Sequence, residues 1–156
     1  MQVLFVCTGN ICRSPTAEAV FRDKVVKAGL GDAITVDSAG TTDWHTGEQP
    51  SPHAQTTMRK YGIDFSGVRA RPLQASDYID FDLLLAMDEG HYKHLIAHAP
   101  EGTKDKIRLF LAVMDQDERT EVPDPYYGGI EDYEFTFGLI EPACEAWLEK
   151  VKPAVR

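Results

Sequence analysis

The sequence predicts an α/β fold in which a parallel sheet is covered by helices on both faces. Three observations predict it. Four short apolar runs are rich in Val, Leu, Ile and Phe, helical patterns lie between them, and Gly, Asp or Pro bounds them. Continuous apolar runs suit strands buried on both sides, and strand–helix alternation joins such strands by right-handed crossovers. Ligands in these folds bind outside the carboxyl ends of the strands.

The first strand is Gln2–Cys7. Ser14 or Thr16 then opens a helix through Ala17, Val20, Phe21 and Val25, which Gly29 ends. The second strand is Ala33–Asp37, and Ser51-Pro52 starts a helix toward Tyr61-Gly62. The third strand, Phe81–Met87, leads to Asp88, a natural cap for a helix with Tyr92, Leu95, Ile96 and Ala99 on one face. Lys106–Phe110 is the fourth strand. The last helix runs from about Ile130 to Val151 and carries Leu139, Ile140, Ala143, Trp147 and Val151 on its apolar side. No repeat, low-complexity tract or linker divides the chain.

At 156 residues the chain is long enough for one domain, 1–156, with a proper core. A formal net charge of -9 excludes a broad attraction to nucleic acid or anionic lipid, so an anionic ligand needs a local positive site. Three cysteines form no disulfide framework, and Cys7 and Cys12 lie too far from other Cys or His residues to suggest zinc. No metal or cofactor is expected. The amino-terminal apolar stretch lacks a basic flank and is broken by Gly9, Asn10 and Arg13, so it is not a signal peptide. No later run is long enough to span a membrane, and a reducing cytoplasm is the expected compartment.

The segment Cys7-Thr8-Gly9-Asn10-Ile11-Cys12-Arg13-Ser14 concentrates the chemistry. It places a cysteine at a strand end, facing the amino end of a helix. Loop N–H groups and the helix dipole make an anion site there, and the same field favours thiolate over thiol. Arg13 can fold back and offer a planar fork of donors to a phosphate. Gly9 lets the backbone approach a ligand, Asn10 tolerates a left-handed conformation, and Ser14 can donate to the Cys7 sulfur. No lysine precedes the hydroxyl residue at the helix start, which excludes an ATP-type phosphate loop. A departing ester oxygen also needs a proton. Among 25 carboxylates Asp124 stands out because Pro123 and Pro125 brace it, yet Pro-Asp-Pro followed by Gly-Gly is also ordinary turn chemistry.

Cys7-(five residues)-Arg13-Ser14, with Asp124-Pro125-Tyr126-Tyr127 near the carboxyl end, resembles the low-molecular-weight protein tyrosine phosphatase family. Asp37-Ser38-Ala39-Gly40, Trp44, Ala70-Arg71 and Met87-Asp88 extend the resemblance over essentially the whole chain. It implies a four-stranded parallel sheet and a two-step, metal-independent hydrolysis. Cys7 would attack phosphorus while Asp124 protonates the leaving phenol, and Arg13 with the loop amides would hold the equatorial oxygens. It also implies that Asn10 and Ser38 brace the loop, that Trp44 and Tyr126 wall the cleft, and that Cys12 is a reversible disulfide partner of Cys7. A histidine common in the family is Val68 here, so this part of the support departs from the pattern. Thr8, Gly9, Ile11 and Ser14 complete the loop, and Tyr127 continues the cleft.

Phosphotyrosine-containing proteins are the implied partners, with Tyr126 and Tyr127 as candidate targets of a cognate kinase, and monomer or weak self-association is expected. Two enzymes of the same fold compete. An arsenate reductase needs two further relay cysteines, which the segment from Met87 to Pro100 lacks; Cys144 reads as core. A phosphoarginine phosphatase would carry threonine where Ile11 offers an apolar floor. A phosphate-binding module without catalysis is a third reading, disfavoured by Cys7, Arg13 and Asp124 together. His91, His94 and His98 share a helical stripe opposite the apolar one, which turns them toward solvent. Arg69 and Arg71 read as surface charge or a structural pair.

Overall fold

The computed structural model describes residues 1–114 and 119–155. In it, β1 (Gln2–Cys7) is buried over its last five residues and sits inside the sheet. It pairs on one side with β2 (Thr35–Gly40) and on the other with β3 (Leu83–Ala86), which in turn pairs with β4 (Ile107–Leu109). All pairings are parallel and the order is β2-β1-β3-β4. The chain therefore leaves β1 for one neighbour and later returns to the other. That reversal opens a crevice at the carboxyl end of β1, where Cys7 lies.

Alternation along β1 divides the core. Val3, Phe5 and Cys7 face one cluster with Phe21 of α1 (Arg13–Lys27) and Ile140 and Trp147 of α5 (Ile130–Val155). Leu4 and Val6 face the other, with Tyr78 of α3 (Asp77–Asp80) and Leu95 of α4 (Glu89–His98). Phe5 meets Phe21 and Phe110 edge-on at 5.6 and 5.7 Å, a geometry that suits the ring quadrupoles. α2 (Pro52–Lys60) packs against α5. No described helix is long and apolar enough to cross a membrane.

The sheet and the main helices follow the sequence pattern, with instructive shifts. β2 begins at Thr35 and continues to Gly40, beyond the expected Asp37. Its limits are set by pairing, since Thr35 aligns with Gln2 and Gly40 with Cys7. Ser38 and Gly40 are not apolar, but sheet register buries them all the same. α1 starts at Arg13 and gives way to Gly29, whose φ of 74° is the left-handed stop glycine favours. α3 has no counterpart in the sequence pattern because four residues are too few to show a helical period. α5 runs past Val151 to Val155 through Pro153, and Cys144 on it is fully buried, as expected of core.

Candidate active site

The loop after β1 is held from outside by its carbonyl groups. Cys7 O accepts from Thr41 N (2.9 Å), Thr8 O from Thr42 N (3.1 Å) and Ile11 O from Ser51 N (2.9 Å). Cys12 O accepts from Thr16 Oγ1 at 2.7 Å. With these oxygens occupied elsewhere, the loop N–H groups are the ones left for its inner face. Asn10 adopts φ 59°, the one non-glycine residue with positive φ among those described, and so closes the turn. No side chain caps α1, and its first turn carries no acid, so the positive end of that helix is open to an anion.

Hydrogen-bond direction can be followed from Asn10 to the sulfur. Arg71 N donates to Asn10 Oδ1 (3.0 Å), which fixes the amide so that Nδ2 faces Ser14 Oγ (2.8 Å) and Ser38 Oγ (2.9 Å). An NH₂ group only donates. Ser38 passes its own hydrogen to Glu18 Oε1 at 2.6 Å. Ser14, having accepted from Asn10, has its single hydrogen free for Cys7 Sγ at 2.9 Å. The chain thus delivers a donor to the sulfur, which stabilises a thiolate there both before attack and on departure.

Arg13 joins this loop to two others. Buried at 4% exposure, it uses Nη1 to bond Asp88 Oδ2 and Val122 O, each at 2.9 Å. Val122 N in turn donates to Met87 O at 2.8 Å, so the segment that carries Asp124 is docked on both the guanidinium and the end of β3. Asp124 lies 3.6 Å from Arg13 Nη2, is about half exposed, and accepts from Tyr126 N at 3.0 Å. A carboxyl group placed beside a buried cation and a cysteine, yet open to water, can give and take a proton at the mouth of the site.

Cys7, Thr8, Gly9, Ile11, Cys12 and Arg13 form the base of one cleft. Asp124, Trp44, Tyr126 and Tyr127 line its walls, as the sequence suggests, with Trp44 and Tyr127 exposed at 73% and 95%. His45 also lines it and was not singled out in the sequence. Its ring lies against the loop, where a Cβ on Gly9 would come within 2.8 Å of it, and Nδ1 is held by Glu48 Oε2 at 2.6 Å. Cys12 is a free thiol 3.3 Å from Tyr133 Oη and 3.5 Å from Ser51 Oγ. Burial pushes this thiol up, against the pull of those two hydrogen bonds.

One sequence reading is revised and one open question is answered. His91 does not share a solvent-facing stripe with His94 and His98. It is 5% exposed and turned into the site, 2.8 Å from Thr8 Oγ1, while His94 and His98 stack on each other outside at 4.2 Å. The stripe fails because the first turn of α4 meets the end of β1 through Thr8, a contact that His94 and His98 in the later turns do not share. At Val68, buried and apolar, support for Ser38 comes instead from Glu18, which is also paired with Arg22. Arg71 is the structural pair: its guanidinium bonds both oxygens of Asp77 (3.0 and 3.1 Å) and Oδ2 of Asp37 (3.1 Å). Nothing in the sequence ties Glu18 or His91 to the loop, since the fold alone brings them there.

Comparison with known proteins agrees with this geometry. Residues 2–156 match the family model described as low molecular weight phosphotyrosine protein phosphatase. A low molecular weight protein-tyrosine-phosphatase of Streptomyces coelicolor is 44% identical over 99% of this chain and 95% of its own. The crystal structure of YfkJ from Bacillus subtilis superposes with a TM-score of 0.94 at 39% identity, over 100% of this chain and 97% of that one. Vibrio vulnificus Wzb in complex with benzylphosphonate gives a TM-score of 0.84 at 31% identity, over 96% and 97% of the two chains.

Proposed function

The chain belongs to the low molecular weight phosphotyrosine protein phosphatase family, and on that premise we propose that Cys7, Arg13 and Asp124 carry the hydrolysis of phosphotyrosine by this protein. Phosphoproteins are its substrates. The observation that carries the residue roles is the directed chain from Asn10 through Ser14 to Cys7 Sγ, at the mouth of an open helix end. Cys7 sulfur attacks phosphorus in line, and the bond from phosphorus to the phenolic oxygen breaks as Asp124 gives that oxygen its proton. Asp124, now a carboxylate, takes a proton from the water that attacks the cysteinyl-phosphate. Inorganic phosphate and the Cys7 thiolate are released. The loop amides and Arg13 hold the three equatorial oxygens in both steps.

Ile11, 8% exposed, gives the floor an apolar face for a phenyl ring between Trp44 and Tyr126. The benzylphosphonate seen on Wzb has the same aryl-plus-phosphorus shape. We further infer that Cys12 condenses with an oxidised Cys7: peroxide converts the Cys7 thiolate to sulfenic acid, and the Cys12 thiol displaces water to form the disulfide. Arsenate reduction finds no relay here, since Cys144 is fully buried on α5 and its thiol is pushed well up by burial. Residues 1–156 are read as one domain. It works as a monomer or weak self-associate in the reducing cytoplasm that its thiol requires, with exposed Tyr127 open to a kinase.

A panel of phosphotyrosine, phosphoserine and phosphoarginine peptides, assayed with and without reductant, tests this reading. Phosphotyrosine should turn over fastest, and C7S should abolish turnover while still binding inorganic phosphate. Equal or faster hydrolysis of the phosphoarginine peptide would overturn the substrate assignment, and an active C7S would overturn the mechanism.

A further inference from the structure

We propose that His91 is a positioning residue for this reaction: its imidazole holds Thr8, the residue after the nucleophile, while its backbone N–H holds Asp88, the carboxylate that bonds Arg13. The inference rests on the catalytic reading above and extends it to a side chain outside the loop. His91 occupies the first turn of α4. Its Nε2 is 2.8 Å from Thr8 Oγ1, and its backbone N–H donates to Asp88 Oδ1 at 2.8 Å. The other oxygen of Asp88 takes Arg13 Nη1 at 2.9 Å. One residue thereby spans from the sulfur end of the loop to the guanidinium end.

The tautomer follows from the same distances. Burial and the nearby Arg13 cation push the imidazole down to about 4, against the pull of Asp88 and Asp124, so at neutral pH it is uncharged and has one N–H. Nδ1 lies 3.1 Å from Asp88 Oδ1 but makes no well-aligned hydrogen bond. A lone pair at Nδ1 would face a carboxylate oxygen and be repelled, so the proton belongs on Nδ1. Nε2 is then the acceptor and the Thr8 hydroxyl the donor. Thr8 is gripped from both sides, since its carbonyl already takes Thr42 N at 3.1 Å and Thr42 Oγ1 at 3.0 Å.

A purely structural role explains this poorly. Asp88 caps α4 through the His91 backbone and does not need the ring. An apolar side chain would fill the same space without desolvating two nitrogens. What the ring adds is a fixed Thr8 peptide beside the sulfur. Such fixation matters most when the equatorial oxygens must meet the loop amides in flight, so its loss falls on kcat more than on KM.

The test compares T8V, H91F, H91N, H91Q and T8V/H91F on p-nitrophenyl phosphate. A glutamine amide reaches the place of Nε2, whereas asparagine reaches only that of Nδ1. T8V, H91F and H91N should each lose about tenfold in kcat with KM nearly unchanged, and H91Q should recover most of that loss. The double variant should be no slower than the worse single one, because both remove one hydrogen bond. ¹⁵N spectra of the wild-type ring should show Nδ1 protonated and Nε2 bare, a readout that stands even where a His91 variant fails to fold. Wild-type kcat in T8V, multiplying losses in T8V/H91F, no recovery in H91Q, or a proton on Nε2 would each overturn the proposal. The phosphatase reading fails separately, through an active C7S, so the two can be told apart.

Discussion

Asn10 shows how much one side chain can settle. Its backbone lies at φ 59°, its Oδ1 is fixed by Arg71 N, and its Nδ2 divides between Ser14 and Ser38. Strain and hydrogen bonding can be separated by two substitutions. N10G keeps the backbone conformation but leaves Arg71 N without its acceptor and removes the donor to the buried Ser14 and Ser38 hydroxyls, a loss of roughly 1–3 kcal/mol. N10A adds the cost of a left-handed alanine, about 1 kcal/mol more. Urea unfolding should therefore rank wild type, N10G and N10A in that order, and both variants should fall in kcat because the Ser14 donor is no longer aimed; equal stability of N10G and N10A would refute the strain argument. Arg13 makes a second case. R13K keeps the charge, but one ammonium cannot hold Asp88, Val122 O and a phosphate at once, so kcat should drop at least about 100-fold. A loss confined to KM would place Arg13 in ground-state binding alone.

At the scale of elements, the end of β2 governs the loop as much as β1 does. A Cβ on Gly40 would come within 2.7 Å of Thr8 O and 3.1 Å of Thr42 O, both backbone atoms that can yield only if the chain itself shifts. G40A should therefore move the β1 loop away from β2, lower activity, and weaken phosphate inhibition in steady-state assays. Wild-type phosphate inhibition in G40A would show that the two ends are not coupled. The same element marks the limit of what a sequence discloses. β1 was legible to the residue because six consecutive positions and a following loop carry its signal. β2 was displaced by two or three residues because Ser38, Ala39 and Gly40 are buried by pairing with β1, which local hydropathy does not record. Cys7, Arg13 and Ser14 lie in one continuous stretch and were readable from spacing. Asp124 was one braced turn among many acids until the family resemblance singled it out. His91, His45 and Glu18 come from separate elements and meet the loop only through the fold.

For the molecule as a whole, acid should be the destabilising direction, and the site supplies part of the reason. His91 is pushed down to about 4 by burial and by Arg13, with Asp88 and Asp124 pulling the other way and His94 adding a small push down. The unfolded chain, whose histidine titrates near 6.5, then binds more protons than the folded one between those values. Stability contributed by the neutral ring is complete above pH 6.5 and is lost as pH falls toward 4. Asp88 acts in the same sense at lower pH. Burial raises it, but the His91 N–H, the His91 ring and Arg13 pull it below the ordinary carboxylate value, so its contribution is lost as pH falls further. The net charge of -9 opposes this only weakly, since exposed carboxylates that repel one another at neutral pH lose that repulsion in acid. Unfolding free energies from urea titrations at pH 7 and 4.5 should therefore differ by a loss on the order of 1–3 kcal/mol attributable to His91. H91Q has nothing to titrate there and should show a visibly shallower fall over the same interval. An identical pH dependence in wild type and H91Q would mean that the ring accepts its proton in the folded state without penalty, and the coupling of this buried histidine to the Arg13–Asp88 pair would have to be abandoned.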